Sequence, residues 1–276
     1  KRQIQDSPVT FGYFNTDKGT RKISTENTQA ALKRFSYRKL SRENRLTYDV
    51  LDYYLELSKK ESDYLLYEEP MGTVSGVQTQ IPVLLSEYQF QSEEDVDAYL
   101  ELMKTTPDYF NSLIAFEQEK AQKGLFMASY TADTVIEQCQ AFIDMGDSNY
   151  LISTFVDRIQ KLTDLSESEK SDYIQKNAYM LKTYVLPAYQ QLIKTVVELK
   201  DSGKNEEGLC YLPNGKEYYE LTVQASTGSA RTVPQLQKLT KNQMKDDLAA
   251  MKAVIGLTAE QAKETAVMES TDPKEI

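Results

Sequence analysis

The feature that most constrains this chain is a single apolar stripe. Ile174, Ala178, Leu181, Val185, Ala188, Leu192, Val196 and Leu199 recur every three or four residues. That spacing puts one apolar side chain per turn on one face of an α-helix, and no strand can present it to one side. A helix from Ser166 to Lys200 would be about 50 Å long at 1.5 Å per residue. Pro187 lies inside it and is expected to kink it, because proline removes a backbone donor and clashes with the preceding turn.

The rest of the chain is punctuated the same way. Ser92-Glu93-Glu94-Asp95 and Ser166-Glu167-Ser168-Glu169 are capping-box signatures, in which the first side chain and the fourth satisfy each other's free backbone N–H groups. Thr106-Pro107 puts proline at a first helical position, and Gly124 is a natural stop. Helices are expected over about 25–37 (Ala31, Leu32, Phe35), 41–68, 81–88, 92–104, 106–123, 131–146 and 149–162. Others are expected over 166–200, 216–225 and 233–255, with a last one from Thr258. The 41–68 helix should bury Leu46, Val50, Tyr54, Leu57, Tyr64 and Leu65 on one face, with Glu61 at the stripe's edge. Pro70 stops it. No strand pair and no internal repeat is found. The expected fold is all-α, a multi-helical array of long antiparallel helices with one long Pro-kinked helix and little or no β.

The main composition break is Gly203–Gly215. It divides the chain into a helical region, 1–202, and a hinge with its following helices, 203–276. The opening residues, Lys1 to Asp6, carry no apolar signal segment, and the chain begins without Met, as expected of a processed or trimmed piece of something longer. No stretch approaches the roughly 20 apolar residues of a membrane-spanning helix.

Composition removes whole classes of chemistry. There is no histidine in 276 residues. That rules out a Ser-His-Asp triad, an HExxH helix and any zinc site with imidazole ligands. No glycine-rich phosphate loop is present. A net charge of -10 with no dense Lys/Arg run argues against nucleic acid as a partner. Cys139 and Cys210 are the only cysteines; Cys139 sits in an apolar helical stretch, and spacing leaves open whether the two pair. Asp144-Met145-Gly146-Asp147-Ser148-Asn149 faintly resembles a calcium loop, but its glycine is misplaced and Phe155 stands where a bidentate Glu belongs.

Two features are left for binding. Tyrosine is abundant, with 19 against 9 Phe and no Trp, and tyrosines with reachable hydroxyls are common in clefts. Thr227-Gly228-Ser229-Ala230-Arg231-Thr232 could hold an anion on its backbone N–H groups, or could simply end one helix and cap the next.

Several short segments share an order with a known family: Glu69-Pro70-Met71-Gly72, Gly76-Val77-Gln78, Ile81-Pro82-Val83-Leu84-Leu85, Ser92 to Leu100, Thr106-Pro107-Asp108-Tyr109-Phe110, Lys123-Gly124, Thr134-Val135-Ile136-Glu137-Gln138, Gly208-Leu209 and Leu212 to Tyr219. In that order they resemble the N-terminal half of the bacterial domain-of-unknown-function family 885, whose members are similar to helical zinc metallopeptidases of the gluzincin type. The resemblance implies a catalytic C-terminal half carrying HExxH and zinc, neither of which maps onto any residue here.

It also implies that this chain is a non-catalytic helical portion walling one side of a peptide-binding cleft. Its partners would be the C-terminal catalytic half and, in the parent, a peptide substrate. The parent would be a zinc peptidase at an extracellular or cell-envelope location. Such a half should show an apolar face after the 203–215 break. Tyr218, Tyr219 and Arg231 follow that break and are the expected cleft-lining residues. The alternative is a stand-alone helical binding module on the bacterial cell surface.

Overall fold

The computed structural model describes residues 9–14, 18–204 and 207–255. The opening residues Lys1–Asp6 and the helix expected from Thr258 lie outside them. The protein is all-α, 76% helical against the roughly one-third usual for globular chains, with no strand among the described residues. Two compact units are distinguished, Lys1–Tyr218 and Tyr219–Ile276.

The first unit contains α1 (Lys18–Leu32), α2 (Arg42–Glu61), α3 (Val77–Glu87), α4 (Glu93–Lys104), α5 (Thr106–Gln122), α6 (Ser129–Asp144), α7 (Tyr150–Ile159), α8 (Glu167–Met180) and α9 (Leu186–Leu199). The expected caps form. Ser92 N–H donates to Asp95 Oδ2 at 3.1 Å. Ser166 N–H donates to Glu169 Oε2 at 2.8 Å, and Glu169 N–H returns a bond to Ser166 Oγ at 3.3 Å. Ser166→Ala is therefore expected to lower stability by about 1 kcal/mol, read as a small fall in midpoint on chemical denaturation.

The core is built around α9, which packs against α5 and α6, while α3 lies on α7 and α4 on α8. Leu181, Val185, Ala188, Leu192 and Val196 of the long stripe are all buried in it. Pro187 is accommodated by a register change. Residues Leu181–Val185 form a π-helical turn between α8 and α9, in which Leu186 N–H bonds Leu181 O five residues back. The wider turn makes room for the ring where an α-turn would clash.

A second proline shows a different solution. Pro82 lies inside α3 and has no N–H for the carbonyl four residues back, that of Gln78. The hydroxyl of Tyr189, from α9, donates to that carbonyl at 2.7 Å. Tyr189 is completely buried, its ring 5.0 Å from Phe110 and 4.6 Å from Phe142. Arg158 does similar work at the end of α3: its Nη1 donates to the carbonyls of Leu85 and Tyr88 at 2.9 and 2.6 Å, with the guanidinium over the Phe90 ring.

The N-terminal segment departs from expectation. The first helix begins earlier and ends at Leu32, followed by a 3₁₀ turn at Tyr37–Lys39. The expected 41–68 helix is α only to Glu61, then 3₁₀ over Ser62–Tyr67. Its stripe divides. Leu57 and Leu65 are buried, but Leu46, Val50 and Tyr54 are 66%, 58% and 64% exposed. The interface between α1 and α2 explains why, since it buries the polar Thr25 and Gln29 against α2's opposite side. The apolar stripe of α2 therefore has no cover from its neighbour.

Cys139 is buried and Cys210 exposed, both as free thiols. Burial pushes the Cys139 thiol up to about 12, so it is an inert packing residue. The residues around Gly146 form a 3₁₀ turn, and Asn149 then caps α7, its side chain accepting from Leu151 N–H at 3.0 Å.

Candidate functional site

Near the end of the first unit, three tyrosines meet. Tyr64 and Tyr67 lie one turn apart in the 3₁₀ segment after α2. The Tyr218 ring stacks on Tyr64 at 5.4 Å and tilts against Tyr67 at 5.1 Å; Tyr64 meets Tyr67 edge-on at 5.3 Å. Tyr218 belongs to α10 (Gly215–Thr227). The Tyr67 hydroxyl donates to the Pro213 carbonyl, and burial with the neighbouring Tyr64 and Glu217 raises its pKa.

The ledge rests on a small apolar cluster of Leu65, Leu66, Phe116, Leu125 and Leu212. Leu212 comes from the 203–215 break, which is held to the unit at several points. Lys204 N–H donates to Gly124 O at 3.2 Å. Gly203 lies so close to the Phe126 carbonyl oxygen that a Cβ would overlap it, so only glycine fits there.

Beneath the cluster lies a buried charge network. Lys120, completely buried, donates to Glu68 O at 2.7 Å and to Glu69 Oε2 at 2.9 Å. Glu117 is 1% exposed, 3.7 Å from Lys120 Nζ, and neither of its carboxylate oxygens has a hydrogen-bond partner. Burial drives its carboxyl up to about 7, against the pull of Lys120 and helped by Glu69. A carboxyl poised near neutrality suits a general acid or base, but this one is buried beside Lys120, out of contact with solvent. Its role is structural: it helps balance the lysine that ties the Glu68–Glu69 segment to α5.

The three residues expected from the sequence fall in two places. Tyr218 joins Tyr64 and Tyr67 in the first unit. Tyr219 and Arg231 belong to the second unit, and both are exposed. Arg231 lies in the loop between α10 and α11 (Val233–Ile255), where its Nη1 donates to Ser229 Oγ at 3.4 Å. That loop has the geometry of a stop and a cap. Gly228 has φ +64° and donates its N–H to Gln224 O at 2.9 Å; Gln235 Oε1 accepts from Thr232 N–H at 3.0 Å. On α11, Leu239, Met244 and Met251 are each about half exposed.

The tyrosine ledge can stack on apolar groups and exchange hydrogen bonds with amides. It holds no nucleophile–base pair. Among the described residues no three Asp, Glu or Cys side chains converge to hold a metal. No described helix is long and apolar enough to cross a membrane. Tyr64 and Tyr67 were not expected as partners of Tyr218, because their approach spans some 150 residues of sequence. Glu117 and Lys120 did leave a trace: they occupy core positions three residues apart in the periodic run Phe110, Leu113, Glu117, Lys120.

The model of a family described as a bacterial protein of unknown function (DUF885) matches residues 15–275. No curated protein matches the chain. Among solved structures it is similar to "The crystal structure of the putative lipoprotein from Colwellia psychrerythraea", with a TM-score of 0.76 at 14% identity, a likeness of fold. The alignment covers 96% of this chain and 48% of that one, so the chain spans about half the length of its structural neighbour.

Proposed function

We propose, from the premise that this chain belongs to the DUF885 family of bacterial proteins, that it forms the non-catalytic helical portion of a zinc-metallopeptidase-like protein of the cell envelope. In this reading it walls one side of a peptide-binding cleft, and the metal and its ligands belong to a C-terminal catalytic half. The observation that carries the reading is a mismatch of length and surface. The chain aligns almost completely to half of a longer fold, and it carries uncovered apolar stripes on α2 and α11. Isolated proteins rarely leave such faces open, and when they do the faces mark interfaces.

The lipoprotein name of the neighbour supports the envelope location. In the first unit Tyr218, supported by Tyr64 and Tyr67, is assigned to stacking on a peptide's apolar side chains. In the second unit, taken by itself, Tyr219 offers an exposed ring and Arg231 a guanidinium for a carboxylate.

The test begins with the coding region beyond the Ile276 codon. The expected result is an in-frame continuation encoding HExxH, whose full-length product holds one zinc and cleaves peptides in a chelator-sensitive way. Tyr218→Ala in that product should raise KM several-fold with kcat little changed, as for lost uniform binding. A stop codon immediately after Ile276, or a full-length product with no metal and no peptidase activity, would overturn the reading in favour of a stand-alone surface binding module.

A further inference from the structure

A second surface lies at the tip of the α1–α2 hairpin, the length of α2 away from the tyrosine ledge. Residues 33–45, which turn the chain from α1 into α2, hold six bases: Lys33, Arg34, Arg38, Lys39, Arg42 and Arg45. They hold one acid, Glu43, in a chain whose net charge is -10. The bases form no unbroken run in sequence; the turn brings them to one end of the hairpin.

One base builds the turn. Arg45 Nε donates to Tyr37 O at 3.3 Å and its Nη2 to Arg38 O at 2.9 Å, while the Tyr37 hydroxyl donates to Asp49 Oδ2 at 2.9 Å. The other five are uncommitted. Among the described residues the side chains of Lys33, Arg34, Arg38, Lys39 and Arg42 form no ion pair and no hydrogen bond, and all five residues are exposed. At the opposite end of the hairpin the lysines are paired, Lys22 with Asp63 and Lys59 with Glu26. Two large apolar side chains stand among the free bases. Phe35, 62% exposed, lies between Arg34 and Arg38 in the turn, and Leu46, 66% exposed, follows Arg42 by one turn on the same face of α2.

We propose that this tip docks on the surface of an anionic lipid bilayer. The five free bases lie among the headgroup phosphates, and Phe35 and Leu46 seat at the boundary with the acyl chains. Each Lys or Arg held near such a surface strengthens binding about fivefold. The attraction is local. Charges are screened within about 8 Å at physiological salt, so the acids carried elsewhere on the chain do not cancel it. The mixture of cations with apolar side chains is what selects a bilayer. It places hydrocarbon directly beneath a layer of anionic groups, whereas a nucleic acid offers Leu46 no partner. Val50 and Tyr54, farther along α2, are left for the interface described above, and the proposal does not depend on the peptidase-like reading.

The test is co-sedimentation of the chain with vesicles of phosphatidylcholine alone and with vesicles containing about 30% phosphatidylglycerol. Binding is expected to the anionic vesicles only, and is expected to vanish in about 0.5 M NaCl. Arg38→Gln combined with Lys39→Gln should weaken it about 25-fold, the product of two fivefold losses. Phe35→Ser should weaken it about tenfold. Lys241→Gln combined with Lys245→Gln removes the same charge from α11 and should change binding less than about twofold. All of these side chains are exposed, so each variant should keep the urea midpoint of the parent. The proposal is overturned if the chain stays in the supernatant with anionic vesicles, if it binds neutral vesicles equally well, or if the α11 variant weakens binding as much as the tip variant. It is also overturned if Phe35→Ser binds as the parent does, or if duplex DNA or polyglutamate binds the tip more tightly than the vesicles do, which would assign the patch to a soluble polyanion.

Discussion

Tyr189→Ala is expected to destabilise the protein by about 4–5 kcal/mol, at the upper end for a large buried aromatic. The ring is fully enclosed between Phe110 and Phe142, so truncation leaves a cavity at the junction of α3, α5, α6 and α9. It also removes the donor from the Gln78 carbonyl, which α3 cannot satisfy because Pro82 follows four residues on. Tyr189→Phe isolates that second term. It keeps the packing and strands a buried acceptor, at a cost of about 1–3 kcal/mol. Pro82→Ala restores a backbone N–H at the right position, so the cost of Tyr189→Phe should be markedly smaller in the Pro82→Ala background. Urea denaturation of the four proteins in a double-mutant cycle measures the coupling. If Tyr189→Phe costs the same with and without Pro82, the hydroxyl does not replace the missing donor.

Glu117→Met is expected to do the opposite and stabilise the protein at pH 8. The folded-state pKa of Glu117 stands at about 7 against an ordinary 4.5. Between those values the folded state holds a proton that the unfolded chain has released. Stability from this group is therefore fully present below about pH 4.5 and is lost as pH rises through 7. A shift of that size corresponds to about 3 kcal/mol. Methionine is an unbranched, flexible side chain of similar length and removes two oxygens that make no hydrogen bond. Lys120 keeps Glu69 and the Glu68 carbonyl, so the lysine is not stranded by the change. A gain of about 2–3 kcal/mol at pH 8, shrinking towards pH 5, is the expected result, measured as denaturation midpoints across that range. A variant that is less stable than the parent at pH 8 would mean that the Glu117–Lys120 attraction outweighs the cost of burying the carboxylate.

The helices were legible wherever sequence carried its own boundary chemistry. Ser92 and Ser166 announce helix starts through bonds closed within four residues, and the 174–199 stripe fixes which face is buried without reference to any other element. Legibility failed where the answer lay at a distance. The stripe of α2 reads as core because periodicity registers an apolar face, not whether anything covers it. Pro187 predicts a disturbed helix, but whether proline ends, bends or widens the turn depends on packing. At Pro82 the sequence shows a missing donor and cannot say that a tyrosine more than a hundred residues away will supply it. The candidate site follows the same pattern. Tyr218 is singled out only by its position after a break, while Tyr64 and Tyr67 meet its ring across a stretch of sequence that holds helices α3 to α9.

The α1–α2 hairpin has a consequence for local dynamics. Within the first unit it packs chiefly on itself and on the 3₁₀ segment at Ser62–Tyr67. Its internal contact relies on Thr25, Gln29 and a few exposed ion pairs such as Lys59–Glu26. Such an element opens as its own cooperative unit, at a free energy well below that of global unfolding. Anything that settles on Leu46, Val50 and Tyr54 would close that gap by mass action. Occupancy of this face would then be written in the amide-exchange rates of α2, while those of α9 stayed as they were.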